Sequence, residues 1–340
     1  MGFAAGRIFV RAELKNTTKA TADEMVSGIR SAFDAGLANL TWMDDETRLL
    51  AKKKAAAVAE KIAYPPWIMD DDKLTAWYAR LDVSSVSYFG NLVAHGRWGA
   101  WRQWDDLKRP RDRTRWFMSP VDVNAYYSRS ANEIVFPAGI LRPPFFDPDY
   151  PTSMNYGGIG VVIGHELTHG FDDQGSRYDA EGSLKQWWPP AVRAAFVEKT
   201  TCIVDQYSQF SIHGEHVNGN QTLGENIADN GGIHEAYKAY LAWETDVNGR
   251  PGSVLPGINW NGSPLNARQL FFVSFANVWC DAQRPANAHR SLLTDVHSPH
   301  RFRVVGTVAN TEGFADAFQC PAAGTGAAAA AARSGMCNVW

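Results

Sequence analysis

The sequence predicts an α+β protein that is mainly helical, with a small antiparallel sheet beside one buried helix. Three observations support this prediction. Apolar residues recur at helical spacing in several stretches, one short region alternates and is rich in β-forming residues, and one helical segment is apolar on most of its faces. The 340 residues provide for one large domain or two ordinary ones.

The first part of the chain is predicted to be helical. A helix is expected from about Thr21, because Met25, Ile29, Phe33 and Leu37 recur at helical spacing. A second helix, rich in Ala and Lys, is expected to open at a capping box spanning 41–44 and to end at Tyr64, before two prolines. Further helices are predicted over 71–80 and 83–94, and a basic loop over 108–115.

The pattern then changes to a hairpin and a buried helix. Residues 121–127 alternate, a turn follows, and a second strand over 133–136 is stopped by Pro137. Residues 157–172 form a helical segment that is apolar on most faces and is therefore expected to be buried. Additional helices are predicted over 191–210, 226–244 and 266–280, and residues 324–333 are of low complexity.

Composition excludes several classes of protein. The 36 acidic residues outnumber the 33 basic ones, so neither nucleic acid nor an anionic membrane is an expected partner. No stretch approaches the roughly 20 apolar residues of a membrane span, and the N-terminus lacks the basic start of a signal peptide. Four cysteines without a CxxC pair disfavour a thiolate zinc site and leave three full disulfide pairings open.

A zinc-binding motif is the most informative feature of the sequence. His165 and His169 are four residues apart on the apolar helix, so both imidazoles lie on one face and can bind one zinc ion. Glu166 is then placed to act on the zinc-bound water. Because unpaired polar groups in such an apolar run would be costly to bury, a metal is favoured over two ordinary core histidines.

Two acidic residues on a later helix are candidates to complete this site. Glu225 and Asp229 are also four residues apart and share a helix face. We expect Glu225 to be the third zinc ligand and Asp229 to accept the free N–H of a ligating imidazole. Spacing alone is equally compatible with a solvated acidic face. The metzincin class is disfavoured, because Gly175 stands where its third histidine would be.

Longer stretches make a family resemblance specific. The chain resembles the neprilysin and endothelin-converting-enzyme family of zinc metallopeptidases, in order from about Phe3 to Trp340. The resemblance implies a thermolysin-like, or gluzincin, zinc-peptidase domain. It rests on the segments VNAYY (123–127), NEIVFPAGI (132–140), GGIGVVIGHELTH (157–169), FDDQG (171–175), LGENIADNGG (223–232), DVHSP (295–299) and CNVW (337–340).

The resemblance assigns roles around one zinc ion per chain. His165, His169 and Glu225 match the zinc ligands of the family. Glu166 matches its general base, and Asp229 matches the aspartate that orients a ligating histidine. Each of these assignments is an expectation drawn from the family.

A second group of residues is expected to contact the peptide. His297 matches the histidine that stabilises the oxyanion of the tetrahedral intermediate, and Asp295 is expected to position it. Asn124 and Ala125 match an edge-strand pair that holds the substrate, and Arg303 matches an arginine that binds a backbone carbonyl on the leaving-group side. Peptides are therefore the expected partners.

The resemblance also implies a domain organisation and a location. Family members are longer, are extracellular or attached to the cell surface, and carry a membrane anchor and a helical lid. We expect residues 1–115 to pack as a helical segment on a catalytic domain formed by 116–340, with the anchor and most of the lid absent.

The same resemblance gives expectations for the pairing of the four cysteines. A bridge between Cys202 and Cys337 is implied, and the alanine-rich stretch before Cys337 is a candidate source of strain on it. Cys280 and Cys320 are expected to be free, to be forced together, or to pair with a missing segment or another chain.

Three functions are compared. The leading hypothesis is a zinc endopeptidase that cleaves small peptides on the amino side of hydrophobic residues, a preference that the family alone implies. The alternative is a truncated, catalytically impaired member that acts as a binding or decoy protein. An aminopeptidase of the same HExxH type is disfavoured, because the chain lacks a GxMEN-like amine-binding motif.

Overall fold

The fold is mainly helical with small sheets, as the sequence predicts. It was obtained as a computed structural model, which describes residues 1–110, 112–248, 254–260, 262–320 and 335–340. The helices are α1 (Gly2–Glu13), α2 (Thr18–Ala38), α3 (Asp45–Ala56), α4 (Asp71–Tyr78), α5 (Tyr88–Asp106), α6 (Thr152–Asn155), α7 (Val161–Thr168), α8 (Pro190–Ser208), α9 (Leu223–Trp243), α10 (Ala267–Val278), α11 (Pro285–Thr294), α12 (His300–Ala309) and α13 (Glu312–Ala317). The strands are β1 (Ala59–Ala63), β2 (Tyr126–Ser128), β3 (Glu133–Pro137), β4 (Ser211–Ile212), β5 (Glu215–His216), β6 (Val254–Trp260) and β7 (Ser263–Asn266).

Helices α7 and α9 cross with their main chains in direct contact. A Cβ atom on Gly164 would lie 2.6 Å from the carbonyl oxygen of Gly232, and one on Gly232 would lie 2.6 Å from the backbone nitrogen of His165. Real Cβ atoms do not approach main-chain atoms this closely, so only glycine fits at either position. The crossing brings the HExxH helix against the helix that carries Glu225 and Asp229.

The sheet beside α7 is mixed rather than antiparallel. Its strand order is β1-β3-β2, in which β2 pairs antiparallel with β3 and β1 pairs parallel with it. The expected helix ending at Tyr64 is therefore wrong, because α3 ends at Ala56 and β1 follows it. Pairing with β3 over five residues overrides the helical composition of this segment, which tertiary contacts commonly do.

The helix starts differ from the expected ones because of their caps. Asp44, rather than Thr41, begins α3, since its side chain accepts a hydrogen bond from the Thr47 backbone N–H at 2.7 Å. Helix α5 begins at Tyr88 instead of Val83, because the Ser87 hydroxyl caps it at 3.0 Å from the Gly90 nitrogen. The hairpin is confirmed, although its first strand begins only at Tyr126.

The shortened first strand has a local cause. In the register of the hairpin, Asn124 would lie opposite Pro137, which has no N–H to donate. The chain before Tyr126 therefore leaves the ladder. Strand β2 forms one outer edge of the three-stranded sheet.

One aromatic cluster joins distant parts of the chain. The ring of Trp340 lies 6.2 Å from that of Phe33 in α2 and 5.7 Å from that of Phe171, which follows α7. The N-terminal helices thus share a core with the HExxH region. The division between residues 115 and 116 stays a prediction.

Cys202 and Cys337 form a disulfide, as the family resemblance implies. Cys280 and Cys320 are exposed and unpaired in this chain, and a pairing with another segment stays a prediction. The alanine-rich stretch 324–333 lies outside the described residues.

Within the residues that the structure describes, every helix is too short or too polar to cross a membrane.

Candidate active site

The two histidines of the motif present the same ring nitrogen to one point. The Nε2 atoms of His165 and His169 lie 3.0 Å apart. The Nδ1 atom of His165 is 2.9 Å from Asp229 Oδ1, and that of His169 is 2.7 Å from Asp172 Oδ2. Because a carboxylate only accepts, each Nδ1 donates its proton, and in the neutral rings both Nε2 lone pairs face each other.

Glu225 completes this arrangement from α9. Its Oε2 lies 3.3 Å from His165 Nε2 and 3.4 Å from His169 Nε2. In the described part of the chain this buried oxygen has no hydrogen-bond partner. When both imidazoles are neutral, three lone-pair donors converge with no proton between them, which is unfavourable unless a cation lies there. Two imidazole nitrogens and one carboxylate are the ligand set of a catalytic zinc site.

The charges around this point keep the carboxylates ionised. Burial raises the pKa of Glu225, but contacts with His165, His169 and His297 outweigh burial and hold that pKa well below its usual range. Burial likewise opposes ionisation of Asp229, but the guanidinium of Arg303 and the imidazole of His165 lower its pKa to about 2. The site is therefore negatively charged where a divalent cation would bind.

Glu166 differs from the other carboxylates of the site. It is 5% exposed, and burial raises the pKa of its carboxyl above the usual value, although the neighbouring imidazoles oppose this shift. A raised pKa makes the carboxylate a stronger proton acceptor. Glu166 also lines a cleft, together with His165 and His169.

His297 enters the site from the loop between α11 and α12. Its Nε2 is 3.2 Å from Glu225 Oε2, and its Nδ1 is 2.7 Å from Asp295 Oδ1. The nearby Glu225 carboxylate raises the pKa of His297, against the effect of burial. The next residue, Ser298, anchors the loop by donating its hydroxyl to Asn226 Oδ1 at 2.7 Å.

Arg303 lies on α12 and pairs with Asp229 in a two-point contact. Its Nε is 2.7 Å from Asp229 Oδ2, and its Nη2 is 2.6 Å from Oδ1. Both side chains are buried. The guanidinium also lies over the ring of Trp279 at 3.9 Å from its centroid. Arg303 thus supports the carboxylate that orients His165, a contact that the sequence did not predict.

The predicted site residues surround one cleft of about 770 Å³. Asn124 and Ala125 line it from the segment just before β2, while Asp295, His297 and Arg303 line it from the loop after α11 and from α12. The lining of the cleft includes six apolar side chains, those of Ile140, Phe145, Val161, Val162, Phe275 and Val278.

Asp172 is a site residue that the sequence reasoning missed. It is fully buried, accepts from His169 through Oδ2, and accepts from the backbone nitrogens of Gln174 and Gly175 through Oδ1. Its position three residues after His169 is the signal that could have identified it, because both fall in the helix predicted over 157–172 and residues three apart would share a face of that helix. Asn226 carried no such signal, since its partner Ser298 is 72 residues away.

Comparison with known proteins gives a consistent family. Residues 124–333 match the family model described as "Peptidase family M13", and residues 1–65 match the N-terminal model with the same description. The chain is 46% identical over 322 residues to the endothelin-converting enzyme homolog of Locusta migratoria and 47% identical to endothelin-converting enzyme 1 of Homo sapiens. Each alignment covers 94% of this chain but only 43% and 41% of those relatives.

Solved structures show the same relationship. The zinc metalloprotease Zmp1 of Mycobacterium tuberculosis, solved with an inhibitor, aligns with a TM-score of 0.84 and 38% identity over 94% of this chain and 47% of that one. PepO of Lactobacillus rhamnosis HN001 aligns with a TM-score of 0.79 and 31% identity over the same shares. The present chain therefore spans less than half the length of each of these four relatives.

Proposed function

This chain belongs to peptidase family M13, and on that premise we propose that it carries the catalytic site of a zinc endopeptidase that hydrolyses small peptides. The observation that carries the proposal is the convergence of His165 Nε2, His169 Nε2 and an unpartnered Glu225 oxygen. These three residues would hold one Zn²⁺. When bound, the ion polarises a carbonyl group and lowers the pKa of a bound water.

The proton transfers are assigned to Glu166. Its carboxylate accepts a proton from the attacking water and later donates it to the leaving amine. The raised pKa of this buried carboxyl supports the assignment, because a group with a pKa nearer neutrality serves in both directions. Asp229 and Asp172 hold the two ligating imidazoles in one tautomer.

The substrate is proposed to bind as an added strand. Among the described strands β2 is at the edge of its sheet, so it can accept an extended peptide, whose backbone would be held by main-chain hydrogen bonds and by Asn124 and Ala125. Arg303 holds Asp229 through Nε and Nη2. It also lines the cleft, which supports the proposal that the same guanidinium donates a hydrogen bond to a substrate carbonyl. The apolar lining residues support binding of a hydrophobic substrate side chain, and cleavage on the amino side of that residue is proposed from the family resemblance.

The disulfide supports an extracellular or cell-surface location. Bonds such as Cys202–Cys337 persist in oxidising compartments and are rare in the cytosol.

Zinc analysis and an N-terminally blocked peptide test the function together. We expect the 340-residue chain to bind one zinc ion and to cleave an internally quenched, N-terminally blocked peptide before a hydrophobic residue. Turnover should be lost when a chelator removes the zinc and should return when zinc is added back. Stoichiometric zinc without turnover would favour a binding or decoy protein. Cleavage only of peptides with a free N-terminus would favour an aminopeptidase.

Replacing His297 with alanine is expected to lower kcat by about 100- to 1,000-fold, the effect of losing one oxyanion donor. The imidazole is held by Asp295 beside Glu225, and its raised pKa keeps it positively charged to higher pH. His289→Ala is the matched control, because His289 is half-exposed and lies outside the cleft. A full kcat in His297→Ala would contradict the assigned role.

A further inference from the structure

Lys54 is a buried cation whose contacts are outside the proposed reaction. It lies on α3 and is 1% exposed, between Lys53, which is exposed, and Ala55, which is buried. Its Nζ donates to the carbonyl oxygens of Gly170 at 2.5 Å, Gly175 at 2.7 Å and Tyr178 at 2.7 Å. Three N–H donors thus meet three main-chain acceptors.

This contact requires the charged form of the side chain. An ammonium group has three N–H donors, whereas a neutral amine has two and would leave one carbonyl without a partner. The aromatic rings of Phe171 and Trp187, with centroids 5.2 Å and 5.7 Å from Nζ, add favourable contacts. Burial nevertheless lowers the pKa of Lys54 to about 7, although Asp172 and Asp179 oppose this shift, so keeping a cation here has a free-energy cost.

The three carbonyl groups belong to one segment, the loop 170–178 that follows the HExxH helix. Gly170 comes directly after His169, and Gly175 lies three residues after Asp172. The loop folds back on the helix end so tightly that a Cβ atom on Gly175 would lie 1.8 Å from the carbonyl oxygen of His169. Lys54 therefore binds the loop on both sides of Asp172.

A second contact joins the same region to the substrate side of the cleft. Asn132 Nδ2 donates to the carbonyl oxygen of Lys54 at 3.2 Å and to that of Ala180 at 3.0 Å. The Tyr127 hydroxyl donates to Asn132 Oδ1 at 2.7 Å. The main chain at Lys54 is thereby fixed to the β2–β3 hairpin, which gives its side chain a rigid base.

We propose that Lys54 is a positioning residue of the metal site, which holds the loop 170–178 so that Asp172 fixes the orientation of His169. The proposal rests on the zinc site of the proposed function. Lys54 touches neither the ligands nor the substrate cleft, so its effect is expected on metal affinity and ligand geometry. Carboxylates that orient a ligating histidine typically affect metal affinity by about 10- to 100-fold.

Lys54→Met tests the proposal, because methionine retains much of the side-chain length and removes the charge and all three donors. We expect its zinc dissociation constant, measured by competition with a chelator, to rise about 10- to 100-fold. We also expect a changed visible absorption spectrum of the Co²⁺-substituted protein. Lys53→Met is the matched control, since that neighbouring side chain is 66% exposed, and it should change neither measurement.

A double-mutant cycle with Asp172→Asn separates positioning from a general loss of stability. If Lys54 acts through Asp172, the double variant binds zinc about as weakly as Asp172→Asn alone. Fully additive effects, or a Lys54→Met variant with the parent's affinity and Co²⁺ spectrum, would overturn the proposal. If Lys54→Met does not fold, Lys54→Gln, which retains two N–H donors, is judged by the same criteria. A parent chain that binds no zinc would instead contradict the proposed function.

Discussion

Glu166→Gln is expected to lower kcat by about 100- to 10,000-fold, the range that general acid–base catalysis contributes. Glutamine has the same shape but cannot accept the proton of the attacking water. Because Glu166 is not among the three converging donors, the variant should still bind one zinc ion per chain. Turnover of the blocked peptide and zinc content measured on the same sample check both expectations.

Glu198→Gln is the matched control for this variant. Glu198 is an exposed residue of α8 and does not line the cleft, so its replacement should leave kcat unchanged. Parent-like turnover in Glu166→Gln would contradict the assigned proton transfers. Loss of zinc from that variant would mean that Glu166 contributes to metal binding.

Asp229→Ala is expected to destabilise the zinc-free protein by about 3–5 kcal/mol, because it leaves the buried Arg303 guanidinium without its counter-charge. The same change removes the acceptor of His165 Nδ1 and should weaken zinc binding by about 10- to 100-fold. Urea unfolding of the zinc-free chain and chelator competition measure the two effects separately. Asp205→Ala, at an exposed position of α8, is the control.

A double variant distinguishes the two effects of Asp229. Asp229→Ala with Arg303→Met removes the unpaired charge, so most of the lost free energy of unfolding should return. Zinc affinity should stay low, since His165 Nδ1 still lacks its carboxylate. Recovery of zinc affinity in the double variant would show that Asp229 acts only through Arg303.

The HExxH residues could be predicted because their geometry is local. Two histidines four residues apart on a helix share a face whatever the rest of the chain does. The prediction of Glu225 as a ligand required more than local geometry, since its spacing with Asp229 was equally compatible with a solvated helix face. The family resemblance favoured the ligand role. The structure brings it to both imidazoles through the crossing of α7 and α9.

The features that could not be predicted from the sequence depend on distant main-chain partners. Strand β1 has a helical composition and becomes a strand only because β3 lies beside it. Lys54 is one of three consecutive lysines, and its partners are carbonyl groups 116 to 124 residues away, which side-chain patterns cannot reveal. Asp172 was within reach of local reasoning, because it lies only three residues after His169 in the sequence.

The glycine crossing of α7 and α9 has a consequence for sequence divergence. The spacing of the helices that carry His165 and Glu225 is limited by main-chain atoms at Gly164 and Gly232, where no side chain intervenes. Substitutions that repack the surrounding core are therefore expected to change the distance between the proposed ligands very little. The cleft walls can change, and substrate preference with them, while the proposed metal position stays constant.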